Sequence, residues 1–104
     1  MEILIFLFRS GLPMEELMKV SKTRGEQFKK VEGLIQKYYV SDKESNRVGG
    51  VYFFDSKKNL KAFRNSELSK STPGAYQFLE DPDVKILDVL RPLKEKDELL
   101  AIVE

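Results

Sequence analysis

Leu34–Val40, LIQKYYV, and Val48–Asp55, VGGVYFFD, joined by the polar loop SDKESNR, are the stretch whose reading decides the fold. Both flanks are rich in aromatic and β-branched residues, and the loop between them is short and solvated. That combination predicts a β-hairpin. It carries Tyr38, Tyr39, Tyr52, Phe53 and Phe54, five of the chain's eleven aromatics. Such a hairpin is expected in the middle of a small sheet, with both faces in need of cover.

Upstream of it, Glu2–Phe8 (EILIFLF) predicts a strand with apolar residues at consecutive positions. Ser10, Gly11 and Pro13 break that strand and lead into a helix from Met14 to about Lys30. Its apolar stripe runs through Leu17, Val20, Phe28 and Val31, with Met18 beside it, and Arg24 and Gly25 weaken its middle. Gly33 ends this segment. Downstream, Asp55-Ser56 forms an N-cap pair for a helix from Lys57 to about Leu68, which is expected to bury Leu60, Phe63 and Leu68. Ser69–Gly74 is expected as a loop and Ala75–Leu79 as a short helix or an apolar lid. Val84–Leu90 predicts the last strand. The order strand, helix, strand, strand, helix, strand is the ferredoxin-like α+β arrangement, βαββαβ, a four-stranded antiparallel sheet with both helices on one face. Residues 1–104 are read as one domain, with 92–104 a C-terminal tail.

Composition excludes several classes of function. The chain has 104 residues, with eighteen basic residues against seventeen acidic ones, which leaves a net charge of +1 and no footprint for a nucleic-acid partner. The longest apolar run, Ile3–Phe8, is too short to span a bilayer, and no small-residue cleavage site follows it. A cytoplasmic protein with no membrane partner is expected. With no cysteine, histidine or tryptophan, there is no thiol nucleophile, no Ser-His pair and no imidazole metal ligand. An all-carboxylate metal site stays open, but the acidic residues sit mostly in turns and on helix surfaces without metal-loop spacing, so no metal is expected.

Two helices cover only one face of such a sheet, and a face left in water should alternate apolar with polar. These strands do not. Leu4, Phe6 and Phe8 point one way and Ile3, Ile5 and Leu7 the other; Val51 and Phe53 oppose Tyr52 and Phe54. If Phe6, Phe8, Tyr52 and Phe54 lie on the uncovered face, they expose on the order of 800 Å² at roughly 200 Å² each. A typical monomer's largest apolar patch is only about 300–600 Å². Cover is expected from the same face of a second copy, a homodimer through the sheet faces. The alternative is that the chain's own segment Leu93–Val103 folds back over it.

Together with this order of elements, GLIQKYYVSD, GGVYFFDS and LKAFRNSEL resemble the dimeric α+β-barrel superfamily of antibiotic-biosynthesis-monooxygenase-like proteins, and within it the small YdhR-like group. Gly49–Ser56 followed by Ala62-Phe63 is the most specific part, and the likeness runs from about Ile3 to Leu90. The resemblance implies a dimeric α+β barrel and a cofactor-independent monooxygenase with an apolar pocket for an aromatic or polyketide-like substrate. Some relatives degrade haem with a Trp and a His; this chain has neither, so that activity is not implied.

Cofactor-free oxygenation asks little of a protein: a substrate proton removed, and the resulting anion held in a dry pocket where it meets O₂. The candidate bases and donors are Tyr38, Tyr39, Tyr52, Tyr76, Lys37 and Asp88, with Arg9 or Arg64 to hold an anionic oxygen. Of these, Tyr52, Asp88 and Tyr76 are the catalytic candidates. Phe6, Phe8, Arg9, Tyr38, Tyr39, Phe54, Phe63 and Arg64 are the candidates for contact with a small apolar or aromatic ligand. Each has a plainer alternative. Tyr52 and Phe54 share a strand face and either line a pocket or fill the core. Tyr38 and Tyr39 point to opposite faces, so at most one serves a given pocket. Arg9 anchors a ligand or makes a surface salt bridge, and Arg64 lies at the edge of a solvated helix face. Asp88 is a buried base or an edge-strand charge. Tyr76 is a lid or a plug. Gly49-Gly50 marks a bulge or a close backbone approach. A non-catalytic binding or interaction module, and an isomerase or decarboxylase, remain open on the same fold.

Overall fold

A computed structural model of the chain describes residues 1–94. The elements are β1 (Glu2–Phe8), α1 (Met14–Phe28), β2 (Leu34–Asp42), β3 (Arg47–Phe54), α2 (Lys57–Arg64), α3 (Glu67–Lys70), α4 (Thr72–Ala75) and β4 (Asp83–Asp88). The four strands make one antiparallel sheet in the order β2-β3-β1-β4. This is the ferredoxin-like α+β fold read from the sequence, but the hairpin expected in the middle of the sheet lies to one side: β3 is central beside β1, and β2 is an edge strand.

Local chemistry explains the helix boundaries. Ser56 caps α2, its hydroxyl accepting from the Asn59 amide at 3.2 Å, and the Asn59 side chain donates to Asp55. The helix expected to run on to Leu68 stops at Arg64, because Ser66 turns the chain and caps a separate turn, α3, through the Ser69 amide. Part of the expected Ser69–Gly74 loop is helical, since Pro73 supplies a first turn that needs no amide donor.

Register shows which face the helices take. β1 pairs with β3 as Leu4↔Tyr52 and Glu2↔Phe54, and Leu4, Phe8, Tyr52 and Phe54 are buried under α1 and α2 with Phe28, Leu60 and Phe63. Phe6, Phe8, Tyr52 and Phe54 therefore lie on the helix side, not on the uncovered face. Alternation alone could not separate the two sides, because both are apolar. The uncovered face instead carries Ile3, Ile5, Leu7, Val51, Phe53 and Tyr38, with Tyr38 packed edge-on against Phe53 at 6.1 Å between ring centres. Its apolar character was legible; its membership was not. Residues 95–104 of the expected tail lie outside the described residues, and Leu90 and Leu93 before them are exposed.

A β-bulge at Ile35 shifts the β2–β3 register between Leu34↔Phe54 and Gln36↔Phe53. The extra residue changes the parity of β2. Leu34 packs on the core under the helices, and beyond the bulge it is Lys37 (opposite Tyr52) and Tyr39 (opposite Gly50) that share that side. Gly49 shows the close approach expected of the glycine pair. A Cβ there would collide with the Phe6 carbonyl oxygen.

Candidate functional site

A cavity of about 190 Å³ lies between α1 and the β2–β3 side of the sheet. Met14, Leu17, Met18 and Phe28 of α1 form its roof, and Lys37, Tyr39 and Tyr52 of the sheet form its floor. Phe8, Thr72 and Tyr76 close one end. Tyr76 is placed there by the segment after α4, which is stitched to the end of β1. The Ser10 hydroxyl donates to the Tyr76 carbonyl at 2.6 Å, the Gly11 amide donates to the Gln77 carbonyl, and the Leu79 amide donates to the Arg9 carbonyl. The ring of Tyr76 then packs on Phe8 at 5.2 Å.

The floor is unusual for its one amine. Lys37 Nζ lies 3.5 Å from the centre of the Phe28 ring, 4.4 Å from that of Tyr39 and 4.6 Å from that of Tyr52. Among the described residues no carboxylate pairs with it. Burial, helped by the positive charge of Arg24, lowers its pKa from the ordinary 10.5 to about 7. Gly50 makes the room: a Cβ there would stand 3.0 Å from Lys37 Cε and 2.9 Å from the Tyr52 ring. The phenols shift the other way. Burial pushes Tyr52, Tyr76 and Tyr39 above the ordinary tyrosine value, so all three stay protonated hydrogen-bond donors across the neutral range.

Arg24 sits behind this group. Its guanidinium donates to the Leu68 carbonyl at 2.8 Å, the Thr72 hydroxyl at 2.9 Å and the Ser71 hydroxyl at 3.0 Å, and lies 5.7 Å from the Tyr76 ring centre. It thereby fastens α1 to the α3–α4 segment that carries the cavity's closed end.

Of the residues singled out in the sequence, Tyr52, Tyr76, Tyr39, Lys37 and Phe8 come together in this cavity. Phe6, Phe63 and Arg64 line a neighbouring cavity of about 200 Å³, from which Tyr52 and Thr72 divide the first. Phe54 is fully buried against Phe63 and belongs to the core. Tyr38 is on the opposite sheet face. Arg9 takes its surface alternative, 3.4 Å from the Glu80 carboxylate. Asp88 takes its edge alternative: it ends the exposed strand β4, opposite Glu2 and 3.8 Å from Lys57 Nζ. A hydrogen bond with the Glu2 carboxyl, and then Lys57, lower its pKa, the reverse of what a base poised for neutral pH requires. Met14, Met18, Ser21, Phe28 and Thr72 were not anticipated in the cavity, nor Arg24 behind it. Phe28 and Met18 were visible only as a helical stripe, and the two hydroxyls carried no signal. Among the described residues no cluster of three His, Cys, Asp or Glu could ligate a metal, and no helix is long and apolar enough to cross a membrane.

Comparison with known proteins gives a family and a set of folds. The family model described as "Putative mono-oxygenase ydhR" matches residues 3–97. No curated protein matches the sequence. Among solved structures, Rv0793 from Mycobacterium tuberculosis superposes with a TM-score of 0.70 at 12% identity, covering 89% of this chain and 98% of that one. A variant of SnoaB, a cofactor-independent oxygenase from Streptomyces nogalater, gives 0.71 at 10% identity, covering 90% and 97%. A dimeric ferredoxin-like protein of unknown function from Thermobifida fusca gives 0.68 at 13% identity, covering 85% and 90%. At these identities the likeness is one of fold.

Proposed function

The chain belongs to the ydhR family, and on that premise we propose that its α1–sheet cavity is the site of a cofactor-independent monooxygenation of a small aromatic or polyketide-like molecule. One observation carries the reading: an amine shifted to about pKa 7 and three protonated phenols converge on a single apolar-walled cavity. The neutral Lys37 amine takes a proton from an activated methylene carbon flanked by an enolisable or phenolic oxygen. Phenol donors among Tyr52, Tyr76 and Tyr39 hold the oxyanion that results. The carbanion reduces O₂ and forms a carbon–oxygen bond. The hydroperoxide then loses water and leaves a carbonyl, with one oxygen atom in the product and the other in water. The methylene gives four electrons and O₂ takes four, so no external reductant is needed. SnoaB, an oxygenase without a cofactor on this fold, offers an analogy for such chemistry.

The test is oxygen uptake with a panel of anthrones and hydroquinones in chelator-treated buffer. Lys37→Met is expected to lower turnover by about 10²–10⁴-fold, the usual worth of a positioned base. Tyr52→Phe should lower it less, and Asp88→Asn should leave it unchanged. Saturable ligand binding with no oxygen consumed would replace this reading with a non-catalytic binding module.

The uncovered sheet face completes the proposal. Its occupant is a second copy of the chain, sheet against sheet, by analogy with the dimeric ferredoxin-like protein from Thermobifida fusca.

A further inference from the structure

Lys37 offers chemistry that oxygenation does not use. Lys19, Lys29 and Lys57 are exposed and stand beside carboxylates at 3.8, 3.0 and 3.8 Å. Lys37 has no such partner among the described residues; the rings of Phe28, Tyr39 and Tyr52 stand around its nitrogen, and all four residues line the cavity. A desolvated amine at a cavity wall is the arrangement that turns a lysine into a nucleophile toward carbonyl carbon. The cavity, at about 190 Å³, exceeds the roughly 150 Å³ of apolar space that admits a benzene-sized guest. Its walls are aromatic and thioether, and its remaining polar groups are neutral hydroxyls.

We propose that the cavity is also a carbonyl-capture site, in which a small aromatic or aliphatic aldehyde or ketone becomes joined to Lys37 Nζ as an imine. The nitrogen lone pair forms the new C–N bond while the carbonyl π pair moves to oxygen. A tyrosine phenol lining the same cavity, Tyr39 or Tyr52, protonates that oxygen. The oxygen then leaves as water, carrying in net terms both hydrogens of the amine. No oxidant or reductant takes part. The inference rests on the cavity and not on the oxygen chemistry, so each can fail without the other.

The experiment is reductive trapping. The full chain is incubated with benzaldehyde and borohydride, then examined by intact mass and peptide mapping. One benzyl group per chain is expected, on Lys37, at a rate about tenfold or more above any exposed lysine near neutral pH. Labelling should rise through about pH 7 as the amine loses its proton. The charged and titratable groups around it are Arg24 on α1, Tyr39 on β2, Tyr52 on β3 and Tyr76 after α4; all three phenols have their pKa raised, so Lys37 alone sets this profile. Lys37→Arg and Lys37→Met, checked for native circular dichroism, should lose the adduct. Equal labelling of surface lysines, or no adduct on Lys37, overturns the inference. Oxygen uptake without trapping would leave the preceding function standing and remove this one.

Discussion

At the scale of single residues, Lys37 combines an ordinary amine with surroundings that oppose its charge. Folded, it releases its proton near pH 7; unfolded, it does so at the ordinary 10.5. Between those values the unfolded chain holds the extra proton, so stability rises with pH across that window, and the penalty is fully present below about pH 7. The three ring faces return part of the lost hydration. Lys37→Met keeps an unbranched side chain one atom shorter and removes the charge. It is expected to stabilise the fold at pH 7 by on the order of 1–3 kcal/mol, and by progressively less toward pH 10. Urea denaturation at the two ends of that window checks the sign. A gain that grew with pH would contradict it. Tyr52→Phe, by contrast, removes a hydroxyl and keeps the packed ring, so its effect should fall on turnover and not on the unfolding midpoint.

At the scale of elements, Arg24 matters most among the residues that the sequence undersold. In the helical stripe it looked like an interruption; in three dimensions it reaches out of α1 to tie down α3 and α4. Arg24→Ala should free that segment. Amide exchange over residues 66–78 is expected to quicken about 10–100-fold while the protection of β1 and β3 holds. Ser56→Ala removes the cap of α2 and should cost about 1 kcal/mol by thermal or urea unfolding. The apolar, β-branched and aromatic runs of β1 and β3, the Ser56 cap and the turn at Ser10–Pro13 are local signals, and they were legible in the sequence. The bulge at Ile35 was not, because no residue type announces it, and that one insertion puts Lys37 and Tyr39 on the helix side. The separation of Tyr52 from Phe54, cavity wall from core, depends on where α1 leaves the sheet uncovered, and no strand pattern encodes that.

At the scale of the whole molecule, the face bearing Ile5, Val51 and Phe53 predicts the state of the protein in solution. Light scattering at micromolar concentration is expected to return about twice the 12.1 kDa of one chain. Val51→Asp would set two charges in the middle of the joint and should halve that mass with native circular dichroism retained. A wild-type mass of one chain would sink the paired-sheet proposal. Strand β2 has a consequence for that assembly. Lys37 and Tyr39 face the cavity, while Tyr38, between them in sequence, faces the opposite side. A guest and a neighbouring copy would therefore press on the same few backbone units from opposite directions. By linkage, whatever factor the guest applies to self-association must be returned unchanged by self-association to the guest, so a dilution series read with and without ligand measures one constant twice.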